Sequence, residues 1–213
     1  MEEGFFNPYQ EVSIHERNLP HWQQPGVLVF LTWRLADALP ETLLSSWRAE
    51  LRVWREHYPE PWDEAARAEY HRLFSTRIER CLDAGHGACP LRDARFRSPV
   101  EQALRHYDGR KYELQGFVIM PNHVHLVARP SPDVRIEQLI RGWKSWSGRE
   151  VNRLQDTSGE VWQSGYWDRL VRDQEHFTRC LNYIQRNPIK AALAADEYTL
   201  WIRPGKPGSY RVS

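Results

Sequence analysis

Apolar residues recur along the chain at two spacings, and each predicts an element type. GVLVFLTWRL, Gly26 to Leu35, opens at a glycine and is dense in β-branched and aromatic side chains, which reads as a central strand. After it, Leu43, Leu44, Trp47, Leu51 and Trp54 recur at helical spacing behind Pro40 and Glu41, which suit a helix start. PWDEAARAEYHRLFSTRIERCLDAG repeats that logic, with Asp63 as N-cap and Gly85 as stop. SPVEQALRHYDG predicts a short helix capped by Ser98 with Pro99 at its first position. KYELQGFVIM and HVHLVARP predict two strands, and Pro121-Asn122 between them is turn chemistry for an antiparallel hairpin. SPDVRIEQLIRGWKSWSGREVNRL predicts a helix opened by Ser131 or Asp133. A Gly- and Trp-rich connection follows, with room for a short strand near Trp167 to Val171. QEHFTRCLNYIQRN predicts a last helix, stopped by Asn187-Pro188, with PIKAALAA as a possible resumption.

This order points to an α+β fold: a ferredoxin-like split βαβ antiparallel sheet with helices on one face. Residues 36–85 form a helical insertion after the first strand. Residues 1–25 read as an irregular N-terminal arm, 26–195 as one domain and 196–213 as a C-terminal tail.

Net charge is +1, which selects no partner, but its distribution does. From Asp37 to Asp83 seven Arg face ten Asp and Glu, a net of −3. Arg92 to Lys111 and Arg141 to Lys190 each carry a net of +3. Basic character thus flanks the hairpin, which suits a phosphate-bearing partner. Three cysteines without a C-x-x-C pair fit a reduced, cytoplasmic chain and do not suggest structural zinc. No run approaches a membrane span, and the acidic start does not resemble a signal peptide.

Within the second hairpin strand, His123 and His125 are two apart and therefore point to one face, with Val124 opposite. Two imidazoles side by side make half of a metal site, or else a wet edge strand. Tyr183 and Asn187 are four apart on the last helix and share a face. The amide oxygen of Asn187 is a hard ligand suited to Mg²⁺ or Mn²⁺, with a phenol one turn earlier. Taken singly, the same residues read as a structural tyrosine and a helix-ending asparagine.

The motifs MPNHVHLV and YIQRNPIKAAL together resemble the single-tyrosine HUH transposases of the IS200-like superfamily. More closely they resemble the REP-associated tyrosine transposases, linked to repetitive extragenic palindromes. NLPHW, FLTWRL, LDAGHGACPLRD, GWKSWSGREVNRL and GEVWQSGYWDRLVRD extend the resemblance from about Asn18 to Leu193. The resemblance implies a Mg²⁺- or Mn²⁺-dependent endonuclease and strand transferase acting on single-stranded or hairpin DNA. It assigns His123 and His125 to the metal, Tyr183 as nucleophile and Asn187 as third ligand. The family often has Gln at that last position, one methylene longer, so water or an acidic residue is the alternative third ligand.

Single strands bind by stacking on aromatics and by Arg and Lys contacts to the backbone. Trp143, Trp146 and Trp167 are stacking candidates, with core packing as the competing reading. Arg34, Lys144, Arg169, Arg172, Arg186 and Lys190 are the expected DNA contacts, in a monomer or homodimer. Cys180 reads as core filling, and His176 as a helix-surface group or one facing the same cleft. Two competing functions are a palindromic-DNA binder with little or no cleavage, and a zinc hydrolase using His123, His125 and a cysteine.

Overall fold

The computed structural model of the chain describes residues 4–7, 9–10, 12–16, 20–58, 66 and 69–205. A hairpin of β1 (Ser13–Glu16) and β2 (Pro20–Gln23) comes first, followed by β3 (Val29–Arg34). The insertion carries α1 (Glu41–His57), a π-type turn (His71–Ser75) and α2 (Thr76–Asp83). Then come α3 (Ala94–Arg105), β4 (Tyr112–Ile119), β5 (His123–Pro130) and α4 (Ile136–Gln155). β6 (Trp167–Leu170), α5 (Gln174–Lys190) and β7 (Thr199–Ile202) complete the order.

The main sheet has the order β6-β3-β5-β4-β7, and every neighbouring pair is antiparallel. β3 and β4 both run against β5, so they are parallel to each other and joined by a helical crossover. This is the expected split βαβ arrangement, extended by one edge strand. Val29, Leu31 and Trp33 of β3 enter one layer, with Val124 and Leu126 of β5 and the apolar faces of α3 and α4. Trp33 stacks on Trp143 at 5.8 Å, and Trp143 Nε1 donates to Tyr112 Oη at 3.0 Å. Trp143 is therefore core, as its competing reading had it.

One detail of the expectation changes. α3 and α4 share a face, but α5 lies on the other, packing Phe177, Cys180, Leu181 and Ile184 against Val118 and Val127. α5 follows the last ferredoxin-like strand and is not bound by the crossover, so it covers the open face that carries the histidines. Gly116 permits this approach: a Cβ there would lie 2.6 Å from Ile202 Cδ1 and 3.2 Å from Leu181 Cδ2.

Several boundaries are corrected. The stretch expected as an irregular arm holds the β1–β2 hairpin, and the buried side chain of Gln23 ties its end to the body. Its amide donates to Val134 O at 2.7 Å and its oxygen accepts from Ile136 N–H at 3.0 Å. The tail contains β7, paired with β4 from Gly116↔Ile202 to Ile119↔Thr199. α3 starts a turn before Pro99, because Asp93 caps it by accepting from Arg95 N–H at 2.8 Å. α4 begins at Ile136, past Ser131 and Asp133, without a side-chain cap. α5 runs through Pro188 to Lys190, a proline in the last turn removing only one late hydrogen bond. Asp63 lies outside the described residues. Gly85 follows α2 at φ +70°, with its N–H on Leu82 O, as a stop should.

The insertion is anchored from two sides. Ile78 and Leu82 of α2 join the main core, whereas Leu51, Trp54, Ala66, Tyr70 and Phe74 form a small cluster of their own.

Candidate active site

β5 sets the first half of the site. Register pairs Thr32 with His125 and Arg34 with His123, so strand alternation turns both imidazoles toward α5. Both are fully enclosed, at 0% and 1% exposure, with ring centroids 4.6 Å apart. Each ring is held by Nδ1: His123 by Asn122 Oδ1 at 2.7 Å and His125 by Thr32 Oγ1 at 2.7 Å. Both Nε2 atoms are buried without a partner. Burial lowers the His123 pKa to about 3, and burial, then His123 and Lys190, holds that of His125 well below its usual value. Both rings are therefore neutral, with lone pairs available.

α5 sets the second half. Asp173 caps it by accepting from His176 N–H at 2.6 Å, which fixes where each turn faces. Tyr183 meets His125 edge-on at 5.0 Å, and Phe30 walls both rings, stacked on His125 and edge-on to Tyr183, each at 5.7 Å. Asn187, fully buried, has neither its amide nitrogen nor its oxygen satisfied, and Tyr183 Oη likewise makes no hydrogen bond of full geometry. Asn187 and Glu79 lie near enough to Tyr183 to act on its proton. Lys190 places its ammonium 5.2 Å from the Tyr183 ring centre.

Glu79 and Asp83 were not foreseen. They stand one turn apart on α2, and their charges reach Tyr183 and Lys190. Burial raises both carboxyl pKa values, Lys190 opposing in each case. Burial, then Glu79 and Asp83, raises the phenol pKa of Tyr183 well above its ordinary value. The only sequence signal was the i, i+4 spacing of two acids in an acidic insertion, which does not say what they face. Asn122 and Thr32 were missed as well, since their roles depend on strand register.

The orphaned atoms test whether a divalent cation fits. An unpaired buried polar group costs about 1–3 kcal/mol, and such groups are rare. Here two imidazole nitrogens, an amide and a phenol are orphaned together. Two neutral imidazole nitrogens beside an amide oxygen, with two carboxylates nearby to balance charge, can accept a divalent cation; the nitrogens favour a transition ion and the oxygens Mg²⁺ or Mn²⁺. Among the described residues no three His, Cys, Asp or Glu side chains are gathered for a metal. Cys180, the cysteine of α5, packs in the apolar layer with Phe177 and Leu181, so the described residues give the zinc reading no cysteine ligand beside the histidines. Burial pushes the Cys180 thiol up to about 11, in keeping with core filling.

The expected DNA contacts divide. Arg34 is buried and donates to Leu35 O at 3.2 Å. Lys144 donates to Gln163 O at 2.8 Å and Gly165 O at 2.6 Å. Lys144 thus ties the loop of Gln163 and Gly165 to α4, and Arg34 turns in toward the carbonyls of the residues that follow it, so neither presents its charge at the surface as an exposed cation would. Burial lowers Lys144 to about 8 and Arg34 to about 10. Arg169, Arg172, Arg186 and Lys190 are exposed. Arg169 is close enough to influence Glu79, and Arg172 N–H donates to His176 Nδ1 at 3.2 Å. His176 is buried, not a helix-surface group. Trp146 is exposed, and Trp167 packs partly against the core.

All four of His123, His125, Tyr183 and Asn187 fall within one family match. Residues 92–187 match the family described as "Transposase IS200 like". The IS200-like segment covers a little under half of the chain and leaves out the insertion. Over 105 residues the chain is 30% identical to a Haemophilus influenzae protein named "Putative REP-associated tyrosine transposase". That alignment covers 45% of this chain and 58% of the relative. Over 99 residues it is 28% identical to an uncharacterized protein of the same organism, covering 34% of this chain and 52% of that one. The chain thus spans between half and three-fifths of these curated relatives. A solved structure described as the REP-associated tyrosine transposase bound to a REP hairpin aligns with a TM-score of 0.45 at 13% identity. It covers 84% of this chain and 76% of that one. No helix among the described residues is long and apolar enough to cross a membrane.

Proposed function

We propose that the chain is a Mg²⁺- or Mn²⁺-dependent endonuclease and strand transferase for single-stranded, hairpin-forming DNA, with Tyr183 as nucleophile. The observation that carries this reading is the meeting, inside one chain, of the Tyr183 ring with the ring of His125 among orphaned polar atoms. The IS200-like match over the same residues supports it. Repetitive extragenic palindromes are the proposed targets, by analogy with the name of one curated relative.

In this reading Tyr183 Oη attacks a backbone phosphorus, a P–O bond to the phenol forms and the bond to the 3′ oxygen breaks, that oxygen taking a proton from solvent to leave as a 3′-hydroxyl. The product is a 5′-phosphotyrosine, which keeps the ester for a later 3′-hydroxyl to attack. The phenol is buried and stays protonated until attack, so its proton leaves as the new bond forms, with Glu79 beside it as acceptor. His123, His125 and Asn187 would hold the cation, which when bound polarises the scissile phosphate and offsets its developing charge. Arg169, Arg172, Arg186 and Lys190 supply positive charge for the DNA backbone on the α5 side.

One observation favours the alternative of a palindromic-DNA binder with little cleavage: burial and two carboxylates both oppose ionisation of Tyr183. A 3′-labelled hairpin oligonucleotide incubated with the protein and Mn²⁺, then run on a denaturing gel, separates the two. We expect a covalent adduct that EDTA prevents and Tyr183→Phe abolishes while binding persists. Tight binding by the unaltered protein without any adduct would establish the alternative.

A further inference from the structure

Asn122 lies in the turn between β4 and β5 and is 1% exposed. One end of its amide faces two backbone carbonyls: Nδ2 donates to Leu82 O at 3.2 Å and to His86 O at 3.1 Å. Carbonyl oxygens only accept, so this end must be the NH₂ and the other end the oxygen. That oxygen is 2.7 Å from Nδ1 of His123. An amide oxygen also only accepts, so Nδ1 of His123 must carry the ring proton. The lone pair is then on Nε2, the atom that is buried without a partner. His125 differs, because its Nδ1 meets the Thr32 hydroxyl, which can donate or accept.

We propose that Asn122 is a positioning residue that locks His123 in its Nδ1–H tautomer and so aims the Nε2 lone pair at the divalent ion, with the lock itself anchored on the helical insertion. This rests on the reading that His123 binds that ion. Leu82 and His86 lie before the IS200-like segment, at its upstream side, so a part of the chain outside the family match sets the chemistry of a residue inside it. The dependence runs in one direction along three groups. The end of α2 and its following turn hold the NH₂, the amide orients its oxygen, and the oxygen fixes the ring. Outer partners of this kind fix ring orientation and basicity in metal sites, and losing one typically lowers metal affinity about 10–100-fold.

The test uses the full chain free of DNA. Long-range ¹H–¹⁵N spectra of the histidine rings, recorded without metal, should show His123 protonated on Nδ1; protonation on Nε2 overturns the proposal and requires no variant. Calorimetric titration with Mn²⁺ should give a Kd about 10–100-fold weaker for Asn122→Ala. Asn122→Asp keeps the acceptor and loses the two donors, so it should retain near-normal Mn²⁺ affinity at a lower melting temperature. Equal affinity in Asn122→Ala and the unaltered protein overturns the lock. If the unaltered protein binds no Mn²⁺, the metal reading above fails instead, and the ring spectrum alone decides the tautomer.

Discussion

Replacing Asn187 by Leu should make the metal-free protein more stable while removing its response to metal. Asn187 is fully buried, and neither amide atom makes a hydrogen bond of full geometry, although Tyr183 lies close by. An unsatisfied buried polar group costs about 1–3 kcal/mol. Leucine has the same branching and number of side-chain heavy atoms and a better helix propensity, so it removes that cost without opening a cavity, offset in part by the greater bulk of its two methyls. Taking about 2 kcal/mol as the central value, a chain of this size should gain about 4–8 °C in melting temperature in EDTA. Mn²⁺ should act oppositely on the two proteins. The unaltered protein should gain about 2.7 kcal/mol at a hundredfold excess over Kd. The Leu variant, lacking the third donor, should gain far less. Thermal melts with EDTA and with a Mn²⁺ series read both effects. A Leu variant that is less stable in EDTA, or that keeps the full Mn²⁺ shift, would refute the assignment of Asn187 as an orphan awaiting a cation.

Gly116→Ala should destabilise the fold by about 1 kcal/mol in urea melts, because Ile202 Cδ1 and Leu181 Cδ2 must turn aside and Trp201 O would lie 3.3 Å from the new methyl; an unchanged midpoint would mean that those side chains repack freely. His176 has its pKa lowered to about 4, by burial first and then by Arg169, Arg179 and Arg172, and its Nδ1 accepts from Arg172 N–H. The unfolded chain thus binds this proton more readily, so stability should be full above about pH 6.5 and fall as pH drops toward about 4. His176→Gln should blunt that fall in melts at successive pH values, and an unblunted fall would assign it to other groups. Because the Tyr183 and His125 rings meet within one chain, mixing His123→Ala with Tyr183→Phe protein should restore no adduct. An adduct from the mixture would show that the tyrosine serves a second copy.

Much of this could be read from residue order. Alternation in GVLVFLTWRL and HVHLVARP gave β3, β5 and the shared direction of His123 and His125, since a strand's period is fixed by its backbone. The four-residue gap between Tyr183 and Asn187 put them on one helix face for the same reason. What stayed illegible depends on partners far away in sequence. β1, β2 and β7 are four residues each, too short for a pattern, and exist through pairing. Lys144 and Arg34 look like any exposed cation until the carbonyls that hold them are seen. Glu79 reaches Tyr183 only because α2 folds back from an insertion whose length and acidity resemble a solvated excursion.

The small aromatic cluster around Trp54, Tyr70 and Phe74 packs chiefly on itself, whereas α2 is stitched into the sheet layer by Ile78 and Leu82. A unit with separate packing can open at its own free energy, below that of the whole molecule. Amide exchange should therefore come in two tiers, with the C-terminal half of α1, around Leu51 and Trp54, exchanging sooner than β3 to β5, while Leu44 holds the first turn to the main core. Opening of the aromatic cluster would then leave the inner helix, and with it Glu79 near Tyr183, in place.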